Sequence, residues 1–207
     1  AMSSTSDKQA FQDLWLGYTE TFGNKDLRYE ISKTYDTAKP EHILCFAGAE
    51  EGIYVAMRVL LSHNDHAIIV VPNYQAAETI PLDICEVSGV PLNPEENWTL
   101  DIDRVKNAIR PNTKLISINF PNNPTGAILS RERLDELIKM CRSRGLYLFS
   151  DEVYRLLERD TQLRLPQIAD IYERGLSLNV MSKAYGLPGL RLGWIMCKDK
   201  TILQNME

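Results

Sequence analysis

Three segments of this sequence place reactive side chains among turn-forming residues, directly after an apolar run. They are Phe120-Pro-Asn-Asn-Pro-Thr-Gly126, Ser150-Asp-Glu-Val-Tyr154 and residues 181–194, where Lys183 precedes a glycine-rich stretch and Arg191. If each apolar run is a strand of a parallel sheet, the segments meet at the carboxyl edge of that sheet, where α/β proteins bind ligands. The pattern therefore predicts one site that combines an amine, a carboxylate, an amide and a guanidinium.

Each of these side chains also has an ordinary structural interpretation. Lys183 stands in apolar, turn-rich surroundings that suit an amine tuned for Schiff-base chemistry, although most lysines are simply solvated. Asp151 could be the N-cap of a following turn, and Asn123 could belong to a rigid turn made by two nearby prolines. Tyr154 either returns to the side of Asp151 or packs in the core. No single segment decides between these interpretations.

A fourth segment, Phe46-Ala-Gly-Ala-Glu-Glu-Gly52, runs from an apolar strand through small residues into a helical pattern. The first turn of a helix has unpaired backbone N–H groups and the positive end of the helix dipole, so this segment could bind a phosphate. Glu50 and Glu51 suit the dipole but repel a phosphate unless their side chains turn away. Small residues are common at such turns, so the segment alone is weak evidence.

Short β-rich runs alternate with longer helical stretches along the chain, without an internal repeat. This alternation predicts an α/β fold of three layers (αβα), in which helices cover both faces of a mostly parallel seven-stranded sheet. The helix over 131–144 is the clearest, because its apolar residues recur at helical spacing behind a Ser130 cap. The predicted strands are 43–46, 67–71, 84–90, 114–119, 146–149, 176–181 and 192–197, and the other predicted helices are 24–37, 50–62, 75–82, 102–109, 166–174 and 199–207.

The composition favours a globular protein with a small-molecule ligand. Of 207 residues, 44% are hydrophobic and 25% charged, and the net charge of −5 comes without a block of Lys or Arg. This balance argues against nucleic-acid binding and a polybasic membrane surface, and no apolar run approaches the ~18 residues of a spanning helix. No secretory signal is visible in residues 1–8, and the four cysteines lie far apart, so we expect a cytoplasmic protein with unpaired thiols.

The histidines and glycines give little support to two other kinds of site. His63 and His66 are three residues apart in a loop with no third ligand, so polar surface is the favoured interpretation. Gly186, Gly189 and Gly193 do not have the spacing of a dinucleotide-binding fingerprint. We therefore expect no metal site and no dinucleotide site.

Taken together, the order and spacing of these segments resemble the large domain of class I/II aminotransferases, pyridoxal-phosphate enzymes of fold type I. The resemblance covers residues 15–207, and residues 181–194 are its most specific part. It implies pyridoxal 5'-phosphate as the cofactor and an amino acid and a 2-oxo acid as substrates. It also implies a homodimer.

The resemblance gives each candidate residue a role. Lys183 looks like the lysine that forms the internal aldimine and moves the α-proton, and Asp151 looks like the partner of the pyridine nitrogen. Asn123 and Tyr154 match residues that hydrogen-bond the phenolate oxygen. The other matches concern the ring face and the phosphate: Tyr74 for stacking on the ring, the backbone N–H groups of Ala49 and Glu50 with Arg191 for the phosphate, and Tyr18 for the phosphate of the neighbouring subunit.

The chain also departs from the family pattern. Val180 stands where many relatives have a phosphate-binding serine, and Ser182 is the candidate substitute. In the family, the arginine that binds the substrate α-carboxylate belongs to a smaller domain built from both chain ends, and we expect that domain to be missing. The expected organisation is a tag remnant and flexible segment over 1–14, the cofactor-binding large domain over 15–200, and the start of a helix leading to the small domain over 201–207.

Three hypotheses about function follow from the sequence. The first is an aminotransferase that works by a ping-pong route through Lys183. The second is a fragment that binds the cofactor but is catalytically incomplete, with a lyase or decarboxylase of the same fold as a related alternative. The third is a generic α/β domain in which the motifs coincide by chance. Steady-state transamination above that of a Lys183→Ala control separates the first from the second.

Overall fold

The seven predicted strands form one sheet in the computed structural model, which describes residues 4–207. Each strand lies within two residues of its predicted bounds. The strands are β1 (Ile43–Phe46), β2 (His66–Val71), β3 (Glu86–Pro91), β4 (Thr113–Asn119), β5 (Tyr147–Asp151), β6 (Gly175–Val180) and β7 (Gly193–Cys197). Their order across the sheet is β1-β7-β6-β5-β4-β2-β3, and β7 runs antiparallel to β1 and β6 while the other pairings are parallel.

Helices cover both faces of this sheet, which confirms the three-layer α/β prediction. The helices are α1 (Thr5–Gln12), α2 (Lys25–Ser32), α3 (Ala49–Leu60), α4 (Gln75–Leu82), α5 (Ile102–Ala108), α6 (Arg131–Arg144), α7 (Ile168–Ile171) and α8 (Lys200–Met206). One core lies between the sheet and α3, α4 and α8, and a second lies between the opposite face and α5, α6 and α7. Alternate residues of each strand point to opposite faces, so a buried strand contributes to both cores.

Helix α6 has the bounds that its sequence predicts. The Ser130 side chain accepts a hydrogen bond from the Arg133 backbone N–H at the start of the helix, and Gly145 ends it in the left-handed conformation with φ 64°. Both features satisfy backbone groups that a helix end leaves unpaired. The apolar positions of this helix are buried against the sheet.

The carboxyl edge of the sheet collects the segments that the sequence singled out. The register between β4 and β5 pairs Asn119 with Asp151, so the last residues of the two strands lie side by side. Because β7 is antiparallel, its first residue, Gly193, pairs with Phe46 at the end of β1. The segment between β6 and β7 therefore stays at this edge and carries Lys183 and Arg191 with it.

Two predicted helices are wrong in extent. The helix expected over 24–37 ends at Ser32, because the buried Asp170 carboxylate accepts the backbone N–H groups of Asp36 and Thr37 at 3.0 and 2.8 Å and holds that segment in a turn. The helix expected over 166–174 is the four-residue α7. It stops because Tyr172 is extended and buried, and its hydroxyl donates to the Leu146 carbonyl at 2.6 Å.

The amino-terminal segment contains a helix that the sequence analysis did not predict. Residues 1–3 of the expected tag remnant lie outside the described residues. Helix α1 follows a capping box made by Ser4 and Asp7, and none of its residues is buried. The division at residues 15 and 200 stays a prediction. Among residues 4–207, no helix is both long and apolar enough to cross a membrane.

His66, expected at the surface, is instead buried at the start of β2. Its Nδ1 lies 2.7 Å from Thr113 Oγ1 and its Nε2 lies 2.9 Å from Ser88 Oγ, so the ring joins three adjacent strands. Burial, aided by the nearby Arg110 charge, lowers the pKa of this imidazole below its ordinary value of 6.5. The surface interpretation of this residue is therefore wrong, and both of its ring nitrogens contact hydroxyl groups.

This burial predicts a pH-dependent stability. The unfolded chain takes up a proton on His66 near pH 6.5 while the folded chain does not, so the free energy of unfolding should fall as pH drops below about 6.5. We expect His66→Gln to cost roughly 1 kcal/mol at neutral pH through weakened hydrogen bonds, and to reduce this pH dependence. Urea unfolding at neutral pH and near pH 5.5 measures both effects. His63→Gln, at an exposed position, is the control, and equal pH dependence in all three proteins would contradict the assignment.

Candidate active site

A cleft of about 280 Å³ lies at the carboxyl edge of the sheet and brings the predicted segments together. Strands β4, β5 and β6 form its floor, and the first turn of α3 and the loop before β7 form its sides. Every predicted site residue except Tyr18 lines it: Ala49, Glu50, Tyr74, Asn123, Asp151, Tyr154, Ser182, Lys183 and Arg191. The remaining lining residues are Ile53, Asn119, Val153, Val180 and Pro188.

Asp151 supplies a buried carboxyl group to the floor of the cleft. Its side chain is 3% exposed, and Oδ1 accepts the Val153 backbone N–H at 3.1 Å. Burial raises the pKa of this carboxyl from 3.8 to about 6, partly offset by that hydrogen bond and by the charge of Lys183. Asp151 thus caps a local turn, as its structural interpretation predicts, and it also lines the cleft. A buried carboxylate at this position strongly favours a positively charged partner.

The loop after β4 is held by two buried asparagines. Asn119 Oδ1 accepts the Asn123 backbone N–H at 2.7 Å, and Asn119 Nδ2 donates to the Asp151 carbonyl at 3.0 Å. Asn122 Nδ2 donates to the Pro72 carbonyl at 3.0 Å, next to the segment that carries Tyr74. Neither asparagine was predicted as a site residue. For Asn119 the available signal was a polar residue at the end of an apolar strand, and for Asn122 it was a polar residue between two prolines; neither differs in type from an ordinary turn residue.

Lys183 and Tyr154 face each other across the cleft. The Lys183 ammonium lies 5.3 Å from the centroid of the Tyr154 ring, within the range of a cation–π contact. Lys183 is exposed, and residues 185–190 beside it are also exposed, so the apolar residues expected around this amine are open to solvent in this chain. The amine is therefore accessible to a ligand from the open side of the cleft.

The turn between β1 and α3 forms a cradle for an anion. Gly48 is the N-cap of α3 with φ 111°, and no side chain caps the first backbone N–H groups of the helix. A Cβ on Gly48 would lie 2.6 Å from Arg191 Nη2, and a Cβ on Gly193 would lie 2.7 Å from the Gly48 carbonyl carbon. Only glycine permits these approaches, which bring the guanidinium and the helix terminus together. A guanidinium and free N–H groups of a helix are typical phosphate ligands.

The two glutamates of this turn point in different directions. Glu51 Oε2 accepts the Ala47 backbone N–H at 2.5 Å, so this carboxylate turns back onto its own loop. Glu50 Oε2 accepts the Tyr74 hydroxyl at 3.3 Å, which links α3 to the segment before α4. Glu50 thus remains beside the cleft, and its backbone N–H is the group available to an anion.

The other predicted residues differ in how closely they join the site. The Tyr74 ring is 40% exposed and forms a side wall. Ser182 lines the cleft, and Val180 lines it as a buried apolar residue. Tyr18 is fully exposed and is not among the lining residues. The structure therefore does not bring Tyr18 to the cleft of its own chain.

Comparisons with known proteins agree with this geometry. The family model of class I and II aminotransferases matches residues 2–207. The aspartate aminotransferase of Pyrococcus horikoshii is 30% identical over 201 residues, which cover 94% of this chain and 51% of that protein. The arginine–pyruvate transaminase of Pseudomonas aeruginosa is 30% identical over 190 residues, which cover 86% of this chain and 47% of that protein.

Solved structures show the same similarity. A PLP-dependent aminotransferase from Streptococcus suis matches with a TM-score of 0.89 at 34% identity, covering 96% of this chain and 52% of that one. The aspartate aminotransferase of Thermus thermophilus with maleate matches with a TM-score of 0.88 at 26% identity, covering 96% and 53%. The chain spans about half the length of the curated relatives it matches. Together with the cleft, the match over residues 2–207 shows that the chain belongs to the class I and II aminotransferases.

Proposed function

We propose that this chain is the cofactor-binding part of a pyridoxal 5'-phosphate-dependent aminotransferase, which moves an amino group between an amino acid and a 2-oxo acid. One observation carries the proposal: a single cleft contains an accessible amine at Lys183, a buried acid at Asp151 and an anion cradle at Arg191. The family supports the same reaction class.

The residues of the cleft fit this cofactor. Because Gly48 has no side chain, the Arg191 guanidinium can approach this turn and bring its positive charge to the start of α3. Asp151 offers a buried negative charge for a protonated pyridine nitrogen. The Tyr74 ring at the side wall suits a flat aromatic ligand. Ser182 is a further candidate for the phosphate, since Val180 offers no hydrogen bond.

The cofactor supplies an electron sink that stabilises negative charge at the substrate α-carbon. The protein does the rest. Asp151 would hold a positive charge at the ring nitrogen, and Asn123 and Tyr154 would donate to the phenolate oxygen. Lys183 Nζ would attach the cofactor and would later move the α-proton as a general base and acid. Arg191 and the backbone N–H groups of Ala49 and Glu50 would hold the phosphate.

The family similarity identifies the cofactor more closely than it identifies the substrate or the exact reaction. Relatives of similar identity are named for aspartate, for arginine and pyruvate, and for kynurenine and oxoglutarate. Since the chain spans about half of these proteins, a cofactor-binding but catalytically incomplete fragment is the second candidate. A lyase or decarboxylase of the same fold is a further alternative, because it would use the same electron sink.

The thiols favour the cytoplasm as the compartment. Cys141 and Cys197 are buried, Cys45 and Cys85 are half-buried, and all four are free. Burial raises the pKa of the Cys45 thiol to about 11 and that of Cys141 to about 12, which keeps them protonated and unreactive. Such thiols suit a reducing environment.

Removing the amine should abolish attachment of the cofactor. We expect the wild-type chain with added pyridoxal phosphate to develop a visible absorption band, which borohydride should bleach as it fixes the cofactor covalently to the chain, and Lys183→Ala to develop none. Lys200→Ala, which removes an exposed lysine outside the cleft, should behave as the wild type. Cofactor fixed covalently by borohydride in Lys183→Ala would move the attachment to another amine and overturn the assignment.

Replacing Asp151 should stabilise the cofactor-free chain while damaging function. With its pKa raised to about 6, the stability that this group contributes is present below its unfolded value and is lost as pH rises through about 6. We expect Asp151→Asn to raise the free energy of unfolding by roughly 3 kcal/mol at neutral pH, and by little near pH 4. The amide cannot be ionised, so cofactor-dependent transamination should fall by at least about 100-fold.

Urea unfolding at the two pH values and a transamination assay measure these effects. Asp135→Asn, on the exposed face of α6, is the matched control and should change neither. An Asp151→Asn chain that is less stable than the wild type at neutral pH would show that the carboxylate is already paired within the protein.

We also propose that the chain forms a homodimer in which Tyr18 serves the cofactor of the partner. The segment 11–18 exposes several large apolar side chains, of which Trp15 is 75% exposed and Leu16 88% exposed. So many exposed large apolar side chains in one short segment are unusual on the surface of a monomer. The fully exposed Tyr18 ends this segment, which supports a second copy of the chain as the partner that covers it.

Light scattering should therefore report a dimer for the wild type and a monomer for Trp15→Glu, because a buried charge weakens an apolar interface. Leu82→Glu, at an exposed apolar position on α4, should leave the dimer intact. A monomeric wild-type chain that still binds pyridoxal phosphate would remove the role of Tyr18.

A further inference from the structure

We propose that Asn119 is a positioning residue, which sets the relative places of Asn123 and Asp151 from the floor of the cleft. This inference rests on the proposed function, because it concerns how two of the cofactor's expected partners are held. It assigns a task to a residue that the sequence analysis did not single out.

The hydrogen bonds of Asn119 point to the two groups at once. Its side chain is 1% exposed and lies at the last position of β4. The carbonyl oxygen accepts the Asn123 backbone N–H at 2.7 Å, and the amide nitrogen donates to the Asp151 carbonyl at 3.0 Å. The Asn119 side chain therefore links the loop that carries Asn123 to the strand that carries Asp151.

The β-sheet register makes this bridge possible. Asn119 and Asp151 are partners in neighbouring parallel strands, so the side chain needs to span only one strand separation. Beyond the sheet, the loop has lost its ladder partners, and Pro121 and Pro124 have no N–H to donate. The side chain of Asn119 thus supplies a hydrogen bond at the point where the backbone pattern ends.

A second asparagine extends the same arrangement to the opposite wall. Asn122 Nδ2 donates to the Pro72 carbonyl at 3.0 Å, and its Oδ1 accepts the Thr125 hydroxyl at 2.7 Å. The loop is therefore fixed on the Asp151 side by Asn119 and on the Tyr74 side by Asn122. A site held within about 0.5 Å needs such support behind its contacting groups.

If Asn119 had only a structural role, its replacement would lower stability without a specific effect on Asn123. A buried, satisfied asparagine contributes to stability wherever it lies, and its loss destabilises the whole fold. Positioning predicts a local effect in addition. Without Asn119, the Asn123 backbone loses its fixed place, and the Asn123 side chain would donate less well to the phenolate oxygen of a bound cofactor. That donor would draw negative charge away from the nitrogen through which Lys183 attaches the cofactor, so weakening it would raise the pH at which this nitrogen loses its proton.

The test uses Asn119→Ala with two controls in the same strand region. Asn112→Ala removes another asparagine that donates to a distant carbonyl, Asn64 at 2.9 Å, at the opposite end of β4. Ile116→Val removes a buried methyl group from β4 and matches a general loss of stability. The first measurement is amide hydrogen exchange of Asn123 in the cofactor-free chain. The second is the pH midpoint of the visible band after addition of pyridoxal phosphate.

We expect Asn119→Ala to accelerate exchange of the Asn123 amide by about tenfold, as the loss of one hydrogen bond allows. It should also raise the pH midpoint of the band by about one unit. Neither control should change either quantity. Asn119→Asp keeps an acceptor for the Asn123 N–H and should retain slow exchange. Asn119→Ser, whose side chain is too short to reach both partners, replaces Asn119→Ala if that variant does not fold.

Unchanged exchange and an unchanged midpoint in Asn119→Ala would overturn the proposal and leave Asn119 a structural residue. Equal changes in Ile116→Val would do the same. The failure of the proposed function is a separate result, in which no protein develops a band. In that case, the hydrogen-exchange rate of the Asn123 amide by itself tests whether Asn119 positions the loop.

Discussion

The burial of the Asp151 carboxyl at the end of β5 is the constraint on which the rest of the structure depends. A charge 3% exposed is unfavourable unless something compensates it, and within the described residues its compensation is one backbone N–H and the approach of Lys183. This imbalance raises the pKa of the Asp151 carboxyl to about 6. The fold therefore holds a group that is poorly satisfied by the protein alone, which is typical of a site prepared for a positively charged ligand.

The direction of β7 explains how the anion cradle reaches this carboxyl. In an all-parallel sheet, the chain leaves one strand at the carboxyl edge and must cross to the opposite edge before it enters the next strand. The residues just before that next strand therefore lie far from the carboxyl edge. Because β7 is antiparallel, the loop between β6 and β7 closes at the carboxyl edge and delivers Lys183 and Arg191 there. The close approach of Gly193 to the Gly48 carbonyl then brings Arg191 to the start of α3. The reversal of one strand thus brings together the Lys183 amine, the Asp151 carboxyl and the Arg191 guanidinium at the start of α3.

The sequence predicts most of the fold and the reactive part of the site. Alternating apolar runs place every strand within two residues, and the Ser130 cap with the Gly145 stop defines α6. The sequence singles out Lys183, Asp151 and Arg191 because charged side chains are unusual among the turn residues that follow an apolar strand. What the sequence does not show depends on distant contacts. Asp170 shortens α2 by binding backbone groups more than 130 residues away, and no local pattern reports such a bond.

The same limit applies to the residues that hold the site in place. Asp151 and Glu152 are adjacent in sequence and both buried, so their carboxylates would repel each other if they lay on the same side of the strand. The structure separates them, since Asp151 faces the cleft while Glu152 Oε1 accepts the Ile168 N–H at 2.9 Å and the Ser177 hydroxyl at 3.0 Å on the α7 side. Burial raises the pKa of Glu152 to about 7, so near neutral pH a large fraction of its molecules remain protonated. One dipeptide thus places one carboxyl in the cleft and uses the other as an anchor for β6 and α7, because the alternation of side chains at the end of a strand keeps the two carboxyls on opposite faces.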